Sequence, residues 1–273
     1  GPTMAEAPAP SPPAPAARVA LSARCRREQS AGTAGGWGEL LALARQPGVV
    51  DLGQGFPDWE SSQVARDAAA AAILDPAHGR INQYSPIPGN SRLKAAVAEY
   101  YSRPSCYGRR LDPATEVCVT TSATEAIGAF MQATLDPGDE VIVFEPMFPW
   151  YAPCARMAGA VIRPLRLQPP NFEIDAGALR SAVGPRTKMI IFNTPHNPTG
   201  HVATREEARA VAAVCRDYDL LCLSDEAYED QTFGGAQHTR IALEKGMWER
   251  TVTVMTASKM FSVTGWRVGW AIG

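Results

Sequence analysis

No stretch of this chain approaches the roughly 18 to 20 uninterrupted apolar residues that a membrane helix needs, and the alanine-rich patch at 68 to 72 follows directly on Arg66 and Asp67. A helical membrane span is therefore not expected. Charge of one sign is equally scarce: Lys plus Arg total 26 against 28 Asp plus Glu, and a net charge of −2 supplies no field for drawing in nucleic acid or acidic lipid. The expected partner is a small molecule. The six cysteines, at 25, 106, 118, 154, 215 and 222, include no C-x-x-C pair, which argues for reduced, packed thiols in a reducing compartment. Histidines 78, 196, 201 and 238 lack ligand spacing, so no metal site is expected. Neither G-x-x-x-x-G-K-[ST] nor G-x-G-x-x-G follows a strand pattern, so neither a nucleoside triphosphate nor a dinucleotide is indicated.

What is present suffices for a sizeable core: 273 residues, 45% of them hydrophobic, accommodate one large domain or two small ones. Gly1, Pro2 and Thr3 precede the first methionine and read as an expression remnant. Six prolines and six alanines crowd the first 17 residues, and up to Gly36 only Glu6 and Glu28 are acidic; a disordered tail is expected over 1–36. The same arginine-containing, acid-poor start is compatible with an organelle transit peptide, which gives a cytoplasmic location or, with such a peptide, a mitochondrial or plastid one.

From Trp37 the pattern turns regular. GWGELLALARQPG reads as a short amphipathic helix stopped by Pro47 and Gly48, within an N-terminal arm and pocket segment over 37–60. Over 61–273, helical SSQVARDAAAAAIL and SRLKAAVAEYYS flank a Gly/Pro/Asn-rich connection, and then β-rich runs (EVCVTT, DEVIVFE, AVIRPL, TKMIIFN, LLCLSD, TVTVMT) alternate with helical ones. Such alternation predicts an α/β fold with a mostly parallel sheet covered on both faces. Thr204 and Glu207 have the spacing of a capping box.

In open α/β sheets, ligands bind past the carboxyl ends of the strands. Those ends carry Ser122-Ala123-Thr124, Phe148, Asn193 to Gly200 (NTPHNPTG), Asp225 with Tyr228, and Thr256 with Lys259. Small hydroxyl residues opening a helix make an anion site, or else an ordinary N-cap. A carboxylate closing an apolar strand, Asp225, needs a cation such as a heterocycle nitrogen, or else caps a turn or pairs locally. Lys259 after an apolar strand is an amine nucleophile if desolvated, a surface lysine if not. Arg267 offers a planar fork for phosphate or a surface ion pair. Together these describe a phosphate cradle, a carboxylate for a ring nitrogen, donors for a ring oxygen and an amine for an aldehyde, which is the inventory of a pyridoxal 5′-phosphate site.

Three segments carry a resemblance. NTPHNPTG is similar to the N-x-P-x-N-P-T-G loop of the class I/II pyridoxal phosphate-dependent aminotransferases, SDEAYED to their D-E-x-Y segment, and SKMFSVTGWRVGW to their S-K-x-F-x-x-x-G-x-R-x-G lysine block, in the same order. LGQGFPDW, INQYSPIPG and GMWERT look most like the branch of kynurenine aminotransferase, glutamine transaminase K and the methionine aminotransferases.

The resemblance implies an aspartate aminotransferase-like large domain, with a small domain and its substrate-binding arginine beyond residue 273. It implies transfer of the amino group of an L-amino acid to a 2-oxo acid, at sites shared in a homodimer. Lys259 would bond the cofactor aldehyde and later carry a proton between the substrate α-carbon and the cofactor. Asp225 would keep the ring nitrogen protonated, and Asn197 and Tyr228 would hydrogen-bond the ring oxygen. Phe148 would stack on the ring, and Ser122, Ala123, Thr124, Thr256 and Arg267 would hold the phosphate. Tyr84 would reach the phosphate of the neighbouring subunit. Trp37, Gly55 and Asn197 would line the substrate pocket, and a cis bond is expected before Pro198. Thr124 stands where the kynurenine branch places an aromatic side chain. Two rival readings share the same residues: a carbon-sulfur β-lyase or aminocyclopropane carboxylate synthase, and a truncated module that binds the cofactor without turnover.

Overall fold

Along Glu140–Glu145 the side chains alternate: Val141 and Val143 leave one face of the strand, Ile142 and Phe144 the other, and none exceeds 3% exposure. A strand buried on both sides needs helices on both sides. The computed structural model, which describes residues 20–30, 36–55, 57–78 and 81–273, supplies them. The described strands are β1 (Val117–Thr120), β2 (Glu140–Glu145), β3 (Val161–Arg166), β4 (Thr187–Asn193), β5 (Leu221–Asp225), β6 (Thr251–Thr256) and β7 (Gly269–Ile272). They form one sheet in the order β1-β7-β6-β5-β4-β2-β3. The helices are α1 (Ala23–Ser30), α2 (Gly36–Ala44), α3 (Gln63–Leu74), α4 (Ser91–Tyr101), α5 (Ser122–Thr134), α6 (Tyr151–Ala158), α7 (Ala176–Ala182), α8 (Arg205–Asp217) and the short α9 (Ala257–Met260).

The sheet is mostly parallel, as the alternation of elements predicts. β3, β2, β4, β5 and β6 run parallel to their neighbours, while β7 is inserted antiparallel between β6 and β1. Pro164, which has no N–H to give a ladder, lies in the edge strand β3, where that loss is tolerated. On one face, Val141, Val143, Met189, Ile191, Leu223 and Val254 pack beneath Ile127 and Met131 of α5 and Ala155 of α6. On the other, Ile142, Phe144, Ile190, Phe192 and Cys222 lie under Leu179 of α7 and the α8 stripe Ala208, Val211, Ala212, Cys215, whose spacing is that of one helical face. Toward β6, β7 and β1 the latter face is covered by Val97, Ala98 and Tyr101 of α4. Each fully buried Ile, Leu, Met or Phe stabilises this arrangement by about 1.5–3 kcal/mol relative to exposure. The α8 capping box is complete in both directions between Thr204 and Glu207.

The segment expected to be a structureless tail needs a correction. α1 forms at Ala23–Ser30, started by the Ser22 hydroxyl, which accepts from Cys25 N at 3.2 Å, and it lies against α6. The tail's prolines end at Pro15, so an average over 36 residues conceals this stretch of helix formers. Residues 1–19 and 31–35 lie outside the described residues. Among the described residues no helix is long and apolar enough to cross a membrane.

Register decides what the strand ends share. Asn193 pairs with Asp225, Asp225 with Val254, and Thr256 with Gly269, so β4, β5 and β6 finish side by side at one rim of the sheet.

Candidate active site

The rim opens into a cavity of about 510 Å³, well within the range of small-molecule sites. Its lining includes Gly55, Ser122, Ala123, Thr124, Phe148, Asn197, Asp225, Tyr228, Thr256, Lys259 and Arg267. These residues come from segments more than two hundred positions apart, from Gly55 to Arg267, and local geometry aims each of them.

At the phosphate end, Thr121 precedes α5 without a side-chain cap, and Ser122 adopts φ 72°, so the small side chains of Ser122 to Thr124 do not act as a plain N-cap. The N–H groups that every helix leaves unpaired in its first turn stand at the cavity wall. Close approach of β7 makes this possible. A Cβ on Gly269 would lie 2.4 Å from the Ser122 carbonyl carbon and 2.5 Å from Ala123 N, so only glycine fits between the strand and the helix start. Thr256 accepts from Ser258 N at 3.1 Å and donates to Val268 O at 3.0 Å. Arg267, in the left-handed region at φ 53°, donates to Thr264 O at 3.0 Å and makes no ion pair with any described carboxylate. The Ser258 hydroxyl is buried and has no hydrogen-bond partner among the described residues.

At the opposite end Asp225 is buried and, among the described residues, carries no salt bridge. Its Oδ2 accepts from the Tyr151 hydroxyl at 2.6 Å and its Oδ1 from Ala227 N at 3.1 Å. Burial raises its pKa above the ordinary aspartate value, against the pull of those two hydrogen bonds. Burial and the Asp225 charge likewise raise the Tyr228 phenol. Asn193 ties the proline-rich loop to this strand end: its Nδ2 donates to Asp225 O at 2.8 Å and its Oδ1 accepts from Asn197 N at 2.8 Å. The Asn197–Pro198 bond is cis. Phe148 meets Tyr151 edge-on, with centroids 5.4 Å apart.

Lys259 lies between these ends. Its ammonium donates to Gly55 O and stands 5.5 Å from the Tyr228 ring centroid. Burial, with the Arg267 charge adding to it, lowers its pKa below the ordinary lysine value, so this is a half-desolvated amine rather than a surface one.

Tyr84 is fully exposed and lines a separate open groove with Ile81, Ser85, Pro86 and Leu93. The Trp37 side chain lies outside the described residues. Strand-end reasoning gave no role to three residues found here: Tyr151, which holds Asp225, and Asn193 and Ser258, which line the cavity. Each sits within a few positions of a residue that it did single out.

An orphaned hydroxyl, the first turn of a helix and an unpaired guanidinium at one end, with a hydrogen-bonded carboxylate at the other, fit a flat cation that bears a phosphate. A carboxylate that is raised by burial and has no ion pair among the described residues suits a positive ring nitrogen.

Comparison with known proteins agrees. The model of the family Aminotransferase class I and II matches residues 47–273. A probable N-succinyldiaminopimelate aminotransferase, DapC, of Mycobacterium tuberculosis is 45% identical over 237 residues, 86% of this chain and 58% of that protein. Kynurenine–oxoglutarate transaminase 3 of Mus musculus is 42% identical over 248 residues, 87% of this chain and 53% of that protein. The chain thus spans a little over half the length of these curated relatives. The solved structure of aspartate aminotransferase from Thermus thermophilus superposes with a TM-score of 0.81 at 35% identity, covering 94% of this chain and 65% of that one. With the fold of aspartate aminotransferase and a family match over most of its length, this chain belongs to the class I and II aminotransferases.

Proposed function

We propose that the chain carries the cofactor site of a pyridoxal phosphate-dependent aminotransferase that moves the amino group of an L-amino acid to a 2-oxo acid. The observation that carries this reading is the convergence of the Lys259 amine and the Asp225 carboxylate on one cavity with a phosphate-sized cradle at its end. The family and the fold imply the same cofactor. When bound, pyridoxal phosphate supplies an aldehyde for amine exchange and a ring that delocalises an electron pair.

The chain's own residues do the rest. Lys259, whose charged form is disfavoured by burial, is the nucleophilic amine and, once released, the base that takes the proton from the substrate α-carbon and returns it. Asp225, held by Tyr151 and Ala227 N, keeps a proton on the ring nitrogen. Asn197 and Tyr228 orient the ring oxygen, Phe148 packs against the ring, and Ser122 to Thr124, Thr256, Ser258 and Arg267 bind the phosphate. Gly55, whose carbonyl accepts from Lys259, sits where the substrate enters. Donors of the kynurenine, glutamine, methionine or aromatic type fit this reading, and N-succinyldiaminopimelate belongs beside them because of the mycobacterial relative. α3 buries none of its residues, and Tyr84 is fully exposed, which supports a homodimer in which Tyr84 reaches the phosphate of a second copy.

The test is cofactor uptake. Titrated with pyridoxal phosphate, the protein should turn yellow, borohydride should fix the adduct on the Lys259 peptide, and Lys259→Ala should abolish it. Steady product formation that depends on a 2-oxo acid marks transamination. Pyruvate released from a cysteine conjugate without an acceptor marks a lyase, and colour that never responds to an amino donor marks an inert module. A protein that takes up no cofactor sinks the reading.

A further inference from the structure

Consecutive residues at the end of β5 serve opposite sides of the sheet. Asp225 faces the cavity, while Glu226, fully buried, faces away from it. There Glu226 accepts from Ser224 Oγ at 2.9 Å, pairs with His238 Nε2 at 2.8 Å and accepts from Arg240 Nη1. Three residues on, Glu229 accepts from Arg240 Nη2 and from the Tyr101 hydroxyl of α4. A single guanidinium therefore bridges two carboxylates that bracket Ala227 and Tyr228. Its plane is held from the other direction by the rings of Tyr101 and Tyr107, whose centroids lie 5.3 and 5.4 Å away. Among the described residues Glu226, Glu229 and His238 are the group with metal-ligand spacing, but Arg240 already engages both carboxylates, so the cluster is an ion network.

Networks of this kind add little net stability over apolar packing, because desolvating three charges offsets their attraction. Geometry is what this one contributes. The turn after Asp225 is also held by Glu226 N to Val254 O at 3.0 Å, Ala227 N to Asp225 Oδ1 at 3.1 Å, Glu229 N to Glu226 O at 3.0 Å and Gln231 N to Tyr228 O at 2.8 Å, none of which spans from Glu226 to Glu229 through their side chains. A planar fork across its two ends removes the remaining rotation.

We infer that Arg240 is a positioning residue for the cavity: by bridging Glu226 and Glu229 it fixes the turn that presents Asp225 and Tyr228. The inference rests on the reading of the cavity as a pyridoxal phosphate site. Arg240 touches none of the reacting atoms; it pairs with Glu226, whose charge is one of the influences that raise the Asp225 pKa.

The experiment measures the pyridoxal phosphate dissociation constant by absorbance, with the Tm of the cofactor-free protein beside it, for wild type, Arg240→Lys and Arg240→Met. Lysine keeps the charge but cannot span both carboxylates. Arg240→Lys is expected to weaken cofactor binding about tenfold and to move the visible absorption maximum, as loss of a bidentate charged pair implies. A constant within twofold of wild type in Arg240→Lys overturns the inference, whatever happens to Tm. So does wild-type affinity in Arg240→Lys combined with loss in Arg240→Met, which would assign the effect to charge alone. If neither variant folds, Tyr101→Phe, which releases only one oxygen of Glu229, decides: about threefold weaker binding supports the bridge, and unchanged binding overturns it. Wild-type protein that takes up no cofactor refutes the functional reading, and this inference falls with it.

Discussion

Tyr151, the first residue of α6, donates its hydroxyl hydrogen to Asp225 Oδ2 across 2.6 Å, although 74 positions separate them in the chain. Burial, reinforced by the Asp225 charge, drives the Tyr151 pKa well above its ordinary value, so the phenol stays a neutral donor at every working pH. A neutral donor orients the carboxylate without cancelling its charge, which leaves that charge for a ring nitrogen. Tyr151→Phe is expected to weaken pyridoxal phosphate binding by about tenfold, the usual worth of a hydrogen bond to a charged group, and a binding titration checks it.

The partnerless hydroxyl of Ser258 sets up opposite effects with and without cofactor. A buried unsatisfied polar group costs about 1–3 kcal/mol, so Ser258→Ala should raise the Tm of the cofactor-free protein. If the hydroxyl awaits a phosphate oxygen, the same change should weaken cofactor binding about fivefold or more. Calorimetry with and without pyridoxal phosphate reads both, and a Tm that rises in both states removes Ser258 from the phosphate site.

Gly269 lies between Thr120 and Thr256 in the sheet and directly under the start of α5. A methyl group there meets backbone rather than a movable side chain, so Gly269→Ala should cost about 3 kcal/mol or more and displace Ser122. Gly265 is the control. It lines the same cavity, a methyl group on it would meet nothing within 4 Å, and Gly265→Ala should change stability by less than about 0.5 kcal/mol in urea titrations.

His196 makes the asparagine loop acid-sensitive. Burial, with the neighbouring His201 adding to it, pulls its pKa from 6.5 down to about 4, and its Nδ1 lies 2.8 Å from Thr199 Oγ1. The unfolded chain takes up this proton near pH 6.5 and the folded chain only near 4. The stabilisation, about 3.5 kcal/mol at roughly 1.4 kcal/mol per unit, is therefore complete above 6.5 and is lost as pH falls from there to about 4. Glu207 behaves differently. Burial would raise it, but hydrogen bonds from His201, Ile174 N and Thr204 N hold it at about 2, so its contribution is lost only below about 4.5. Urea titrations between pH 6.5 and 4.5 isolate the histidine, and His196→Asn should flatten the curve there.

Much of the cavity wall was readable at the strand ends. A polar residue that follows an apolar strand is costly unless something meets it, so Asp225 and Lys259 stood out without coordinates, while Asn197 was marked by the resemblance of its loop. Tyr151 and Ser258 did not. Tyr151 reads as one more apolar position opening a helix, and Ser258 as a small residue beside the lysine; nothing local marks the donor that has a distant acceptor or the hydroxyl that has none. Arg240 lies beyond an irregular stretch at 231–239 with no periodicity to aim it, and its partners come from two other segments. α1 was hidden by composition, because proline density confined to the start of the tail was carried over to residues that lack it.

Period-2 and period-3.6 alternation belong to each segment alone, so the strands, the helices, their two-sided burial and the set of chemical groups at the sheet rim follow from local sequence. Register and pairing do not. That Asn193 ends beside Asp225, that β7 enters antiparallel and brings Gly269 under α5, and that Arg240 spans two carboxylates are long-range outcomes. They are set by which buried faces and buried charges satisfy one another once the chain has closed on itself.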